Sequence, residues 1–391
     1  MTVTVGLAWH SLRPGNLGID ALSRTDIAII NSAAQSVGVD VDYVLMGNPA
    51  RDNGPPDIPG VTVGPRPSLK RLLIGKDKYR AAVRRCDIVI DIGEGDSFAD
   101  IYGAKRFGVQ IISKLFALLA GKPLVLAPQT IGPFKHPASR AIAVYIMKRC
   151  EQVFSRDKLS TQVLRDLGIT SNAAEAIDLA FSLPFTTPTR SIEGSTRVGI
   201  NVSGLLAAGG YNSGNQFGLK IDYLDFTRSI IEHFLAIKNV EVFLVPHVLS
   251  AGSIEDDVAA SKRLQDIYPR LKLAPSFQDS AEAKSFISGL DFLVAARMHA
   301  CIAAFSSGVA VVPVAYSRKF AGLFGTLGFD YVLDAQKLGT EDAVAFVKKA
   351  FIERSELENS IKAGLEIVHE RLKSYEDFIA KLLKRIASKK I

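Results

Sequence analysis

The sequence predicts an α/β protein of two doubly wound, Rossmann-like domains facing a cleft, and three observations carry that prediction. Short apolar runs alternate with longer helical patterns through the first half of the chain, the signature of a parallel sheet covered by helices on both faces. A stretch rich in Pro, Thr and Ser, FSLPFTTPTRSIEGS at 181–195, interrupts the alternation. Beyond it the alternation restarts, and at roughly 150 residues per domain a chain of 391 residues has room for about two or three domains. The expected boundaries are 1–185 and 196–340, with a linker at 186–195 and a helical tail over 341–391.

Each element follows from local pattern. VTVGLA at 3–8 reads as a buried strand, 21–37 as a helix and 39–45 as a second strand. CDIVIDI (86–92) is a strand that stops at Gly93, 111–120 a helix, and PLVLA (123–127) a strand. Helix 138–150, a short strand at 152–155 and helix 160–167 close the first half. In the second half, RVGINV (197–202), VEVFLVP (240–246), 271–274, FLVA (292–295) and VAVVPV (309–314) read as strands. Helices at 223–237, 256–268, 280–288, 299–307 and 320–327 follow them in turn. Ligands of open parallel sheets bind beyond the carboxyl ends of the strands, so the loops there hold the candidates.

Composition narrows the function classes. Hydrophobic residues make up 48% and charged residues 22% of the chain, which excludes disorder and a disulfide-built miniature. Lys+Arg at 47 against Asp+Glu at 40 leaves +7, favouring an anionic small molecule, a membrane surface or nucleic acid. Basic residues are not interleaved with aromatics on one face, which argues against nucleic acid. The three cysteines, Cys86, Cys150 and Cys301, are widely spaced, so neither a zinc site nor a disulfide framework is expected and no metal is assigned. No basic, then apolar leader opens the chain and no long apolar run interrupts it, so a cytoplasmic protein is expected.

Candidate residues sit at the predicted strand ends. GNLGID (15–20) follows the first strand, and its glycines and Asn16 suit either a ligand or a plain turn capped by Asp20. DIGEGDSFADIYG (91–103) lacks both the Walker and the dinucleotide spacing; Glu94, Asp96 and Ser97 in it are set to meet a sugar hydroxyl or to cap a turn. APQTIGPF (127–134) presents Gln129 and Thr130, neutral groups suited to a polyol. In FSRDKLS, Arg156 aims a bidentate fork or pairs with an acid, while Asp157 suits the cap of the next helix. ARMHA sets Arg297 and His299 two residues apart between a strand and a helix, a place for an anion and a proton-transfer partner. His247 ends VEVFLVP in the same way, and Arg318 and Lys319 follow the next strand. His10, His136, His233 and His369 read as structural or surface residues.

Together these segments resemble the polysaccharide pyruvyl transferase family. GNLGIDAL, the Gly-rich loop after CDIVIDI, APQTIGPF, FSRDKLSTQVLRDLGI, DLAFSLP, RVGINVSGL, LVPHV with Glu255-Asp256-Asp257 downstream, AARMHACIAAFSSGV and VAYSRKFAGLFGTLG occur in family order over about 10–330. Two positions depart from the family pattern: Ile19 intervenes before Asp20, and Glu94 stands between glycines that are usually adjacent. The resemblance implies a fold similar to the B-type glycosyltransferases, with the last helices crossing back onto the first domain. It implies transfer of a pyruvyl group from phosphoenolpyruvate to two hydroxyls of a sugar in a bacterial surface glycan or its lipid-linked precursor, giving a cyclic ketal and phosphate. For that chemistry Arg156, Arg297, Arg318 and Lys319 are the cations available to hold the donor without a cofactor and His299 can move a proton, the resemblance pointing to Arg156, Arg297 and His299; from the residues alone, Asp96 or Glu94 is read as the second proton-transfer group, and Gln129, Thr130, Ser97 and Asn16 as facing the acceptor. Two other readings remain: a nucleotide-sugar glycosyltransferase with Glu282 as its ribose-binding acid, and a non-catalytic sugar or anion binder. In the tail, Leu372, Tyr375, Ile379, Leu382, Leu383 and Ile386 form one apolar face. That face either packs on the protein's own core or leaves the basic end to touch an anionic membrane.

Overall fold

A computed structural model describes residues 1–48, 50, 54–68, 78–95, 98–101, 103–189 and 194–390. The chain divides into two units, Met1–Pro14 with Leu22–Leu179 and His369–Ile391, and Gly15–Ala21 with Ala180–Val368.

The first unit is built on a seven-stranded sheet in the order β3-β2-β1-β4-β5-β6-β7. Its strands are β1 (Thr2–Ala8), β2 (Asp40–Met46), β3 (Val61–Val63), β4 (Ile88–Asp91), β5 (Leu124–Gln129), β6 (Gln152–Ser155) and β7 (Ala173–Glu175). Every pair is parallel, with Val5 of β1 opposite Tyr43 on one side and Ile88 on the other. Helices α1 (Leu17–Ser36), α2 (Lys78–Arg85), α3 (Ala104–Leu119), α4 (Pro137–Met147) and α5 (Lys158–Asp166) connect the strands. Val3, Val5, Leu7, Leu124, Val125 and Leu126 are fully or almost fully buried, as strands covered on both faces require.

The second unit repeats the plan with six strands in the order β10-β9-β8-β11-β12-β13. These are β8 (Thr196–Asn201), β9 (Val240–Leu244), β10 (Lys272–Leu273), β11 (Phe292–Ala295), β12 (Ala310–Ala315) and β13 (Leu333–Asp334). Helices α6 (Gly204–Ala207), α7 (Tyr223–Ala236), α8 (Asp257–Ile267), α9 (Ser280–Ile287), α10 (Met298–Ser306), α11 (Arg318–Thr326), α12 (Thr340–Ile352) and α13 (Arg354–Ser388) accompany them. The strand order reverses between β8 and β11, the topological switch point where open α/β sheets bind ligands.

The division falls at Leu179–Ala180 rather than at 185. The reason is Lys284 of α9, whose buried ammonium donates to the carbonyls of Phe181 (3.1 Å) and Leu183 (2.8 Å) and fixes that segment to the second unit. Burial pushes the Lys284 pKa down to about 7. In the tail, 340–368 stays with the second unit and only His369 onward joins the first. There Tyr375, fully buried, donates to Asp26 (2.8 Å), whose other oxygen meets His10 Nε2 at 2.8 Å. Ile379, Leu382 and Leu383 are buried as well, so the apolar face of the tail is spent inside the first unit. Arg371, Arg385 and Lys390 pair with Glu175, Glu151 and Asp87. Among the described residues no helix is long and apolar enough to cross a membrane.

Candidate active site

The carboxyl edge of the second sheet gathers the strongest cluster of ionisable groups, and Asn201 organises it. At the end of β8, beside the switch point, its Oδ1 accepts the Arg297 backbone N–H (2.9 Å). Its Nδ2 donates to the Val245 carbonyl (2.8 Å) and to Asp257 Oδ2 (3.3 Å). Asp257 is fully buried and accepts from Gly204 N (2.9 Å), His247 N (3.1 Å) and Val248 N (3.0 Å). It also takes a two-pronged grip from Arg297, Nε at 3.1 Å and Nη2 at 2.8 Å. A buried carboxylate survives only with such a full set of donors. Arg297 Nη2 further donates to the Glu255 carbonyl (2.8 Å), and Nη1 lies 3.9 Å from the Glu255 carboxylate. Burial alone disfavours the Arg297 charge, but Asp257 outweighs it and holds the guanidinium above its ordinary value. Arg297 is therefore a braced cation with its fork committed to Asp257, not a fork left open for a ligand.

His299 lies half-buried in the first turn of α10. It packs on Gly18: a Cβ there would stand 2.2 Å from His299 Nδ1. This close approach explains the second glycine of GNLGID. The segment is laced into the second unit by Leu17 N donating to the His247 carbonyl (3.2 Å) and Leu249 N donating to the Gly15 carbonyl (2.6 Å). Asn16, expected to face an acceptor, accepts from Gly18 N (2.9 Å) and bridges Val248, on the same edge as His299. Asp20, fully buried, accepts from the N–H (2.9 Å) and hydroxyl (2.6 Å) of Ser280 and so ties the start of α1 to the first turn of α9, whose own cap is Asp279.

His247 is 3% exposed. Burial first, then the proximity of His299 and Arg297, pushes its pKa down to about 3, so its imidazole is neutral at pH 7. Arg318 and Lys319 open α11 after β12, both half-buried. Two helix N-termini, the cationic side chains of Arg318 and Lys319 and two imidazoles thus belong to one sheet edge beside the Asp257–Arg297 pair, a combination suited to an anion and a proton transfer.

The first unit holds the other candidates. Gln129 is 1% exposed and donates through Nε2 to the Asp91 (2.8 Å) and Ala127 (3.2 Å) carbonyls. Its Oε1 faces Gly93, whose φ of 61° and 2.6 Å clearance demand glycine. Asp91 is bound to the buried Lys114 at 2.9 Å. Glu94, with φ 60°, pairs with Arg106 (3.0 Å) and accepts from Asn48. Arg156 is 2% exposed and donates to Thr130 Oγ1 (2.9 Å) and Asp178 (2.6 Å). Asp157 caps α5 through Ser160 N (2.8 Å). Asp96 and Ser97 lie outside the described residues.

Glu282 closes a cap: it accepts from Gln278 N (2.7 Å) while its own N–H donates to Asp279 (3.0 Å). It lines a groove of about 560 Å³ with Phe185, Phe277 and Phe286, a groove that includes neither Arg297 nor His299. Among the described residues no group of three or more His, Cys, Asp or Glu is placed to hold a metal ion. Sequence reasoning missed Asn201, Asp257 and Asp178 as individuals, although all three lie at or beside motifs it singled out.

Comparison with known proteins identifies the family and the fold. The family model described as polysaccharide pyruvyl transferase matches residues 26–318. The amylovoran biosynthesis protein AmsJ of Erwinia amylovora is 23% identical over 307 residues, covering 74% of this chain and 71% of that protein. A UDP-GlcNAc 2-epimerase from Neisseria meningitidis, solved bound to UDP-GlcNAc, superposes with a TM-score of 0.57 at 12% identity over the whole of both chains. The spinosyn rhamnosyltransferase SpnG gives 0.51 at 11% identity, covering 98% of this chain and 100% of that one. At such identities these structures establish the fold, two parallel-sheet α/β domains of the kind found in B-type glycosyltransferases.

Proposed function

This chain belongs to the polysaccharide pyruvyl transferase family, and we propose that it transfers a pyruvyl group from phosphoenolpyruvate to two hydroxyls of a sugar in a surface polysaccharide or its lipid-linked precursor. The observation that carries the reading is the cationic edge around Arg297, His299, Arg318 and Lys319. Phosphoenolpyruvate brings about three negative charges, and each charge-assisted hydrogen bond contributes roughly 1.5–3 kcal/mol, so side chains and helix N-termini can hold it without a metal.

The balance of the reaction defines the protons to be moved. Both sugar hydroxyls lose a proton as their oxygens bond to C2. One proton ends on the methylene carbon, which becomes methyl, and the other leaves with phosphate as the C2–O–P bridge breaks at C2. We assign one of these transfers to His299, since imidazole is the side chain best suited to exchange a proton near neutral pH. Neutral His247 behind it keeps an extra positive charge out of the site, while Asp257 and Asn201 hold Arg297 in place. The glycosyltransferase reading has less support, because Glu282 is engaged in the cap of α9. For a lipid-linked acceptor we propose that the enzyme works in the cytoplasm at the membrane face, through charge alone, since the apolar face of α13 is already buried.

The test is incubation of the purified chain with phosphoenolpyruvate and a panel of lipid-linked glycans, measuring phosphate and ketal together. Acceptor-dependent release of both, lost in a folded His299→Ala protein, is the expected result. Ketal formation by that variant at the parent rate refutes the role of His299, and no phosphate with any acceptor refutes the reading.

A further inference from the structure

We propose that the loop from Ala208 to Gly218 is a saccharide-recognition element, with the exposed ring of Tyr211 stacking on a sugar; the proposal rests on the pyruvyl-transfer reading only in naming that sugar as the acceptor.

The loop is chemically unusual for this chain. Residues 205–219, LLAAGGYNSGNQFGL, contain no charged side chain in a protein that is 22% charged. What they offer instead is an aromatic ring and the neutral polar side chains of Asn212, Ser213 and Gln216, Asn215 being committed to Leu219. That is the complement of a sugar, whose C–H face packs on aromatic rings and whose hydroxyls pair with amides.

The loop is also preformed. Gly209, Gly210, Ser213, Asn215 and Gly218 all take positive φ, between 52° and 90°; Asn tolerates that region, and Ser213 N donates to the Gly210 carbonyl (3.3 Å). Asn215 clamps Leu219 through both backbone groups at 2.8 Å, and Gln216 Oε1 accepts from Tyr211 N at 2.8 Å. Phe217 stands edge-on to Tyr316 with ring centroids 5.0 Å apart, and Gln336 donates to its carbonyl (2.6 Å).

Position then ties the loop to the candidate site. Tyr211 is 60% exposed, yet its hydroxyl donates to the Glu255 carboxylate. Glu255 in turn receives Arg297 on its carbonyl (2.8 Å). The side chain is thus held at its hydroxyl end, one residue removed from Arg297, and remains 60% exposed. The other anchor, Tyr316, lies two residues before Arg318. A tyrosine already fixed in this way loses little conformational entropy on stacking. A nucleobase would stack as well, but the loop has no cation for its phosphate.

The experiment compares the full chain with its Tyr211→Ala and Tyr211→Trp variants. Saturation-transfer NMR with lactose, cellobiose and mannobiose, without phosphoenolpyruvate, reads sugar binding; UMP is the control. Binding is expected for the parent and for Tyr211→Trp, and a loss of about tenfold, or 1.4 kcal/mol, for Tyr211→Ala. In turnover assays the same variant raises the acceptor KM about tenfold and leaves the phosphoenolpyruvate KM within about twofold. Unchanged saccharide binding by Tyr211→Ala, no saccharide signal from the parent, UMP binding that depends on Tyr211, or equal rises in both KM values would each overturn the proposal. Sugar binding lost with Tyr211 in a protein that transfers no pyruvyl group would leave the loop's role standing and refute the pyruvyl reading instead.

Discussion

Replacing Gly18 by Ala separates activity from stability. The new Cβ would stand 2.2 Å from His299 Nδ1, 2.6 Å from Cγ and 3.0 Å from Cε1, where ordinary contact begins at 3.4 Å. The imidazole must therefore retreat by about 1 Å, and displacements of that size cost roughly 100-fold in rate when the group must meet a reacting atom. Folding has little to lose. Gly18 lies in the first turn of α1 without a positive φ, where Ala is better than Gly by about 0.5–1 kcal/mol. The expected outcome is kcat lowered about 100-fold with a melting temperature unchanged or slightly raised. The double variant Gly18→Ala/His299→Ala should be no slower than His299→Ala alone, since the methyl acts only by moving a ring that is gone. A Gly18→Ala enzyme with kcat within about threefold of the parent, or a double variant that loses the full product of both effects, would refute the assignment.

Three further outcomes follow from the same contacts. Asp20→Ala leaves the Asp279 cap in place but strips Ser280, at the start of α9, of its buried carboxylate partner, and should cost about 1–2 kcal/mol in denaturant unfolding; a shift under about 0.3 kcal/mol would contradict the buried Asp20–Ser280 bonds. His247 has a folded pKa of about 3, below its usual 6.5; the unfolded chain therefore binds the extra proton between those values, and stability should fall as pH drops from about 6.5 toward 3. His247→Gln should flatten that limb, and an unchanged pH–stability profile would place the titration elsewhere. Changing Lys381, Lys384, Lys389 and Lys390 to Gln should weaken co-sedimentation with vesicles containing anionic lipid at low salt; equal binding by both proteins, or none by the parent, would leave α13 as packing alone.

The alternation of strands and helices was legible because each buried strand carries its own apolar run. The edge strands β3, β7 and β13, two or three residues long, carry too little pattern to identify them, and β10 was read with wider limits, 271–274, than the two residues it has. The site was legible by position and misread by partner. ARMHA was readable as a strand-end Arg and His, but nothing local shows that Arg297 is committed to Asp257, 40 residues away. Asp20 posed the same problem at greater range: its partner Ser280 is 260 residues distant, so the aspartate displaced by Ile19 read as a turn cap when it holds a helix of the second unit. Glu282 is the opposite case, for Asp279-x-x-Glu282 ahead of an apolar run is itself a capping signature, and a reading that weighed it would have withdrawn that residue from ligand binding before any coordinates. The distinction is physical: caps and periodicities are settled within a few residues, whereas a buried charge takes its meaning from a partner that only the fold brings near.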